Sequence, residues 1–145
     1  MSDWLYQEKP ITELPDKVIG FVYCITNNLD GRKYIGKKKG FRKKTSIKTI
    51  ILKSGVKKKK KIRTIVNSDW MEYFGSSSEL CADIEKLGAD NFTREILHLC
   101  YSLSELSYIE AELQFKLEVL KHQDRFYNRW IMVRVRADHL KGKLK

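Results

Sequence analysis

The pattern of hydrophobic and polar positions predicts three short β-strands. Apolar, β-branched and aromatic residues fill residues 20–26, and a second short run covers residues 33–36. The intervening residues 27–31 have the sequence Asn-Asn-Leu-Asp-Gly, which is typical of a turn, so these two strands are predicted to pair as a β-hairpin. A similar run at residues 92–100 predicts a third strand.

Apolar residues at helical spacing occur in three other segments. Residues 62–74 place Ile, Val, Trp and Tyr where they suit one helix face, so a first helix is predicted there. The pair Ser76-x-x-Glu79 has the form of a capping box, and Gly88 can end the short helix that follows it. A long helix with one apolar stripe is predicted over residues 104–121.

The order strand, strand, helix, helix, strand, helix predicts an α+β fold with a small three-stranded antiparallel sheet flanked by helices. An N-terminal arm at residues 1–18, one domain at residues 19–130 and a basic tail at residues 131–145 are expected. Residues 45–52 are too β-branched to assign to a helix or a loop, and the five lysines at 57–61 predict a solvated loop tip.

Charge is concentrated in two parts of the chain. The 145 residues carry a net charge of +11, and residues 37–63 hold 14 Lys and Arg but no Asp or Glu. Residues 125–145 add seven bases and one acid, so the remaining residues are acidic as a group. The dense basic segment at residues 37–63 favours a polyanionic partner, and nucleic acid is the first to consider.

The sequence gives no sign of a membrane span, a signal peptide or a Cys-x-x-Cys metal site. No apolar run approaches the ~20 residues of a membrane span, and the N-terminal residues lack the order of a signal peptide. We therefore expect a soluble, cytoplasmic protein that makes no membrane contact. Cys24, Cys81 and Cys100 form no Cys-x-x-Cys pair and are interpreted as reduced core residues.

Two tyrosines, Tyr23 and Tyr34, lie on the predicted hairpin beside the most basic segment. Alone, such tyrosines are typical of cross-strand packing. Their surroundings, Gly20-Phe21-Val22-Tyr23 and then Tyr34-Ile35-Gly36, resemble the paired signature of the GIY-YIG nuclease superfamily. Phe21 replaces the usual glycine of the first triplet, a departure that affects backbone packing more than chemistry.

The resemblance extends over residues 20–130. Gly75-Ser76-Ser77-Ser78 and the segment 84–97 are similar to the second helix and third strand of the family, and the pair Tyr127-Asn128 follows a glutamate-bearing helix. A small, stand-alone endonuclease of phage type is implied, which hydrolyses DNA phosphodiester bonds with Mg²⁺ or Mn²⁺. The alternative is a catalytically inactive nucleic-acid-binding module of the same fold.

The resemblance implies in-line attack of water on a DNA phosphate, with the tyrosines handling the proton. Tyr23 is favoured as the base and Tyr34 as a hydrogen-bonding partner of the phosphate or water, and the reverse assignment stays open. A phenol, with its pKa of about 10, accepts a proton only where cations stabilise the phenolate. Lys33 and Arg63 are the candidates for that role.

Family members carry an arginine on the first helix, where its fork can bind two phosphoryl oxygens. Arg42 and Arg63 both qualify here, and counting back from Ser76-Ser77 favours Arg63. Residues 37–61 then become an insertion relative to compact relatives. Asn67 stands where many members have a histidine, which puts the role of that histidine in doubt.

The resemblance also implies a metal-binding glutamate on the last helix, since a hard divalent ion takes oxygen ligands. Glu110 and Glu112 compete for this role. Glu110 lies within the Leu- and Ile-rich stripe of the helix and Glu112 borders a second apolar face, so helical spacing alone does not decide between them. Glu110 is preferred because the apolar residues that flank it resemble the family's helix more closely. Asn128 matches the asparagine that follows this helix in the family, where its amide would hold the loop or contact the phosphate.

Basic residues of the second strand and the insertion are expected to contact DNA. Lysine contacts to phosphates release counterions and raise affinity for any sequence without selecting one. A protein partner or a homo-oligomer is also compatible with the sequence. The residues assigned to nucleic-acid binding are Lys33, Lys37, Lys38, Arg42, Lys43 and Lys44.

Overall fold

The computed structural model of the protein describes residues 3–134, 136 and 137, and it is built around a five-stranded mixed sheet. The strands are β1 (Trp4–Tyr6), β2 (Lys9–Pro10), β3 (Gly20–Asn27), β4 (Lys33–Lys39), β5 (Phe41–Ile51), β6 (Lys57–Asn67) and β7 (Phe92–Cys100). The central sheet has the order β2-β1-β7-β3-β4, whereas β5 and β6 form a two-stranded sheet of their own. In the central sheet β1 pairs in parallel with β7, and the other neighbours are antiparallel.

The α+β class and the three predicted strands are confirmed, but the central sheet has five strands rather than three. The two added strands come from residues 4–10. Trp4 of β1 is fully buried, and its ring lies edge-on to Phe21 at 5.1 Å and to Tyr23 at 5.3 Å between centroids. A strand of three residues is too short to show alternation, so burial of Trp4 was invisible in the sequence.

The helix predicted over residues 62–74 is wrong. Residues 62–67 belong to β6, which pairs with β5 along all 11 residues of each strand, and only Trp70–Glu72 forms a 3-10 turn. Lys57–Lys61 lie in this strand rather than in a loop tip, which instead spans residues 52–56. Pairing with the β-branched residues of β5 outweighs the helical spacing of a few apolar residues.

Two α-helices pack on the central sheet: α1 (Ser78–Leu87) and α2 (Leu103–Lys116). The Ser77 side chain caps α1 by accepting a hydrogen bond from the Leu80 N–H, and Gly88 ends the helix at a φ of 91°. Helix α2 stops five residues before the predicted end at residue 121. Within the described part of the chain, neither helix has the length and apolar character needed to cross a membrane.

Strand β3 is buried on both faces because helices cover both sides of the sheet. Tyr23 faces a cluster with Trp4 and Leu80 of α1, and Val22 faces a second cluster with Leu106 of α2. The alternation of β4 therefore sends Tyr34 toward the α1 side and Ile35 toward the α2 side.

All three cysteines are free, and Cys24 and Cys100 are buried as predicted. Cys81 is exposed, so its assignment to the core is wrong. Most of the predicted basic tail at residues 131–145 lies outside the described residues.

Candidate active site

Residues after α2 close the outer edge of β4. The Asn128 Oδ1 accepts a hydrogen bond from the Ile35 N–H at 3.0 Å, and its Nδ2 donates to the Ile35 carbonyl at 2.8 Å. Lys33 N donates to Arg125 O, and Tyr127 N donates to Lys33 O, both at 2.8 Å. An edge strand that would otherwise expose unpaired backbone groups is thus held in a fixed position.

A cleft of about 640 Å³ lies beside this edge. Because β4 is the last strand of the central sheet, residues near α1 and residues of α2 both line this cleft. The residues that carry its chemistry are Tyr34, Lys37, Ser76, Glu110, Gln114 and Asn128.

Of the two tyrosines of the hairpin, Tyr34 lines the cleft and Tyr23 lies behind it. Tyr34 is half-buried in its wall, and its hydroxyl is hydrogen-bonded to that of Ser76 at 2.9 Å. Tyr23 is fully buried behind it, with ring centroids 6.2 Å apart. A Cβ on Gly36 would lie 2.6 Å from the Tyr23 hydroxyl oxygen, so a glycine there is what lets the ring lie over the strand.

Burial raises the pKa of both phenols. The pKa of Tyr23 lies well above 10, mainly because burial disfavours the phenolate and further because Tyr73 and Tyr34 are close. The pKa of Tyr34 is raised by burial too, the Ser76 hydrogen bond opposes that shift, and the Glu110 charge adds to it. Both phenols are therefore neutral near pH 7. Glu110 is close enough for its charge to raise the pKa of both.

Glu110 projects from α2 into the cleft with 14% of its side chain exposed. Its Oε1 lies 3.9 Å from the Lys37 Nζ, which also donates a hydrogen bond to the Ser107 hydroxyl at 2.9 Å. Burial raises the pKa of Glu110, while the Lys37 ammonium and backbone N–H oppose that rise. Glu112, by contrast, is exposed and does not line the cleft.

Gln114 lies one helical turn after Glu110 and is 5% exposed. Its Nε2 donates to the Ile35 carbonyl at 2.9 Å, the same oxygen that Asn128 uses. Among the described residues its Oε1 has no hydrogen-bond partner, which is costly for a buried acceptor. Glu110 and Gln114 thus offer carboxylate and amide oxygens on one helix face, the donor set that hard divalent cations take.

Three residues of the GIY-YIG resemblance, Tyr34, Glu110 and Asn128, therefore meet in one cleft, with Tyr23 directly behind. A family model described as "Putative endonuclease segE, GIY-YIG domain" matches residues 4–131. The chain belongs to this GIY-YIG family. Membership supports a nuclease function in general, and the matched region includes the strand β1 that carries Trp4. No curated protein and no solved structure gives a significant match to the chain.

The arginines predicted for this GIY-YIG domain lie outside the cleft. Arg63 is exposed in the middle of β6, opposite Thr45, because residues 57–67 form a strand and not the helix on which its selection depended. Arg42 is exposed at the start of β5 and lines a neighbouring depression. In the cleft itself, Arg129 is paired with Glu79, with its Nη2 2.8 Å from Oε2, and Lys37 is the nearer cation to Glu110.

The other residues predicted to bind nucleic acid are spread over β4 and β5. Lys33 is exposed at the start of β4, and Lys38 forms an ion pair with Asp69 at 2.7 Å. Lys43 and Lys44 are exposed on β5. Of the predicted set, Lys37 alone lines the cleft. Sequence reasoning missed Gln114, although its four-residue spacing from Glu110 on α2 was a usable signal.

A second cluster of potential metal ligands lies elsewhere in this GIY-YIG domain. The ligand atoms of His98, Cys100 and Glu105 are within 4.8 Å of one another. Glu105 occupies the position of a capping box with Ser102, and its Oε1 lies 3.3 Å from the His98 Nε2. The His98 ring is therefore a polar partner of the buried Glu105 carboxylate.

Proposed function

We propose that the protein is a metal-dependent DNA endonuclease that hydrolyses phosphodiester bonds in the cleft beside β4. The proposal rests on one observation, which is that Tyr34, Glu110 and Asn128 come together from distant parts of the chain in a GIY-YIG domain. The cleft thus holds a phenol, a carboxylate and an amide, and Lys37 adds a cation beside the carboxylate. This set suits phosphoryl transfer, which requires positioning and charge stabilisation more than covalent chemistry.

Glu110 and Gln114 would hold the divalent ion, Mg²⁺ or Mn²⁺. The fit is supported by the unpartnered Oε1 of Gln114 and by a carboxylate whose charge is disfavoured by burial. When bound, the ion would polarise the phosphate and neutralise developing negative charge. Lys37 is the cation that the chain itself supplies beside this carboxylate.

Tyr34 is the phenol that we assign to contact with the phosphate or the attacking water. The sequence favoured Tyr23 as the base, but Tyr23 is fully buried, and burial raises the pKa of its phenol well above the usual value. Neither Lys33 nor Arg63 is near enough to be a partner of its hydroxyl among the described contacts. Tyr23 then acts as a positioning residue that supports the ring of Tyr34.

Asn128 serves the site through β4. Because both polar atoms of its amide bond the backbone of Ile35, it fixes the strand segment that carries Tyr34 and Lys37. Arg63 lies on exposed β6, and we assign it to DNA binding rather than to the chemical step.

The test is cleavage of supercoiled plasmid DNA with Mg²⁺ or Mn²⁺, with and without a chelator. We expect nicked or linear product that disappears with chelator and in Glu110→Gln. Glu112→Gln is the matched control, because it makes the same change two residues away on an exposed face of α2. Salt-dependent DNA binding without cleavage across both metals would instead identify the inactive binding module.

A further inference from the structure

The strands β5 and β6 form a ribbon that stands apart from the central sheet. Residues 41–67 contain 11 Lys and Arg and no Asp or Glu. The ladder runs without interruption from the pair Phe41 and Asn67 at the base to the pair Ile51 and Lys57 near the tip. Since residues opposite one another share a face and successive residues alternate, this register assigns every side chain to one of two faces.

We call the face that carries Lys57, Lys59 and Lys61 the open face. Most of its side chains lie in two rows, one on each strand. From residues 45 and 63 to the tip, β6 contributes a row of cations and β5 contributes a row of Ile and Thr, and each cation lies opposite one of these residues. Nearer the base the order is reversed, because Lys43 of β5 lies opposite Ile65 of β6. The cations are Lys57, Lys59, Lys61 and Arg63, and their partners are Ile51, Thr49, Ile47 and Thr45. All eight are exposed.

The packed face, which is the opposite one, is built differently. The half-buried residues of the ribbon, Ile50, Ile62 and Val66, all lie on it. Its cations near the tip, Lys48, Lys58 and Lys60, are not sorted by strand. By contrast, Ile47, Ile51 and Ile65 of the open face are 66%, 72% and 73% exposed, so this face leaves more apolar area uncovered among its cations.

We propose that the open face binds duplex DNA, with the cation row of β6 along one phosphate backbone and the Ile and Thr row of β5 in the adjacent major groove. This proposal rests on the proposed nuclease function and names how its substrate is held. The major groove is about 12 Å wide and admits a two-stranded β-ribbon, where methyl groups of Ile and Thr can contact thymine methyls. Eleven residues span about 35 Å, which is about one turn of the duplex.

The base of the ribbon connects this surface to the cleft. A depression of about 530 Å³ is lined by Lys37, Phe41 and Arg42 together with residues of α2. Lys37 also lines the cleft beside Glu110, so the two concave surfaces meet at one side chain. Duplex DNA held on the ribbon would therefore be cut at the end of the contact nearest residue 41, and not at its centre.

The decisive experiment compares two triple variants of the same ribbon. One replaces Lys57, Lys59 and Lys61 of the open face by Gln, and the other replaces Lys48, Lys58 and Lys60 of the packed face. Both remove three charges from the same part of the ribbon, so a diffuse electrostatic effect would weaken binding equally in both. Circular dichroism confirms that each variant is folded.

Binding to a fluorescent 30-base-pair duplex is measured by anisotropy in chelator, where no cleavage occurs. We expect the open-face variant to lose affinity by on the order of tenfold or more, and to lower the slope of log affinity against log salt by up to about 2.7. The packed-face variant should stay within about threefold of wild type. Equal losses, or a larger loss in the packed-face variant, would overturn the assignment of the open face.

A second arm tests the groove. Duplexes whose pyrimidines carry bulky 5-substituents fill the major groove, and we expect them to bind the wild-type protein less well than the unmodified duplex. Unchanged affinity would overturn the groove contact. If the wild-type protein cleaves plasmid but the two triple variants lose the same affinity for duplex DNA, the ribbon assignment alone is refuted. If the wild-type protein neither binds nor cleaves duplex DNA, the nuclease proposal is refuted as well.

Discussion

Asn128 satisfies both backbone groups of Ile35, with its Oδ1 3.0 Å from the amide nitrogen and its Nδ2 2.8 Å from the carbonyl oxygen. One side chain thus replaces a neighbouring strand at the edge of β4. This strand carries Tyr34 and Lys37 into the cleft, so the amide couples the stability of the sheet edge to the geometry of the site.

We expect Asn128→Ala to lower the free energy of unfolding by about 1–3 kcal/mol, because the Ile35 N–H is left buried without an acceptor. Asn128→Asp should cost at least as much, since it puts a carboxylate oxygen against the Ile35 carbonyl. Urea denaturation followed by circular dichroism measures both. Unchanged midpoints in both variants would show that these hydrogen bonds do not hold the edge.

The two tyrosines should respond differently to loss of the hydroxyl. Tyr34→Phe removes the group that faces the cleft, so we expect a loss of cleavage rate of about 10²–10⁴-fold with little change in stability. Tyr23→Phe, made behind it, should reduce the rate much less. Single-turnover plasmid cleavage at saturating protein compares the two, and a larger loss in Tyr23→Phe would restore Tyr23 as the base.

The pH dependence of stability contains a contribution from Glu110. Because burial raises its folded-state pKa, the folded state holds this proton longer than the unfolded chain does. The contribution of Glu110 to the free energy of unfolding is therefore greatest below the usual glutamate pKa of about 4.3. It falls as the pH rises through the folded-state pKa of Glu110. We expect Glu110→Gln to remove that decline and to be more stable than wild type at pH 7, by less than about 1 kcal/mol since solvent partly screens the charge.

Thermal unfolding from pH 4 to pH 8 checks this prediction, with Glu112→Gln as the control on the exposed face. A Glu110→Gln variant that is less stable than wild type throughout this range would mean that the ion pair with Lys37 outweighs the cost of burial.

Gln114 should contribute to the affinity for the metal. We expect Mg²⁺ to raise the Tm of the wild-type protein, since an ion that binds the folded state alone stabilises it by mass action. Titration with Mg²⁺ should give a smaller rise in Gln114→Leu, which fills the space without offering an oxygen. In Glu110→Gln the rise should vanish, and an undiminished rise in both variants would remove these residues as ligands.

The predictable parts of the structure are those with local signals. Strand β3 is a run of apolar, β-branched and aromatic residues, and the turn sequence at residues 27–31 predicts its pairing with β4. Gly88 ends α1 as its position beyond the apolar stripe predicted. Helical spacing put Glu110 within one apolar stripe of α2, and the resemblance selected it over Glu112; in the structure Glu110 lines the cleft and Glu112 does not.

The parts that could not be predicted depend on pairing between distant residues. β1 is buried through Trp4, which packs on Phe21 and donates a hydrogen bond to the Trp70 carbonyl at 2.7 Å. The β6 lysines adopt a strand because β5 pairs with them, and runs of lysine carry no β-pattern of their own. The helix predicted over residues 62–74 is wrong for this reason, and the choice of Arg63 as the phosphate-binding arginine depended on that helix.

The two ends of the ribbon meet at its base. The Ser68 N–H donates to the Gly40 carbonyl at 3.0 Å, and the Ser68 hydroxyl donates to the Lys39 carbonyl at 2.6 Å. The chain leaves the central sheet after Lys39, and Ser68 closes the ribbon beside that point, so both ends of the ribbon are fixed at one place. A change in the length or charge of the ribbon beyond this base therefore does not require the strands of the central sheet or the cleft residues on them to move.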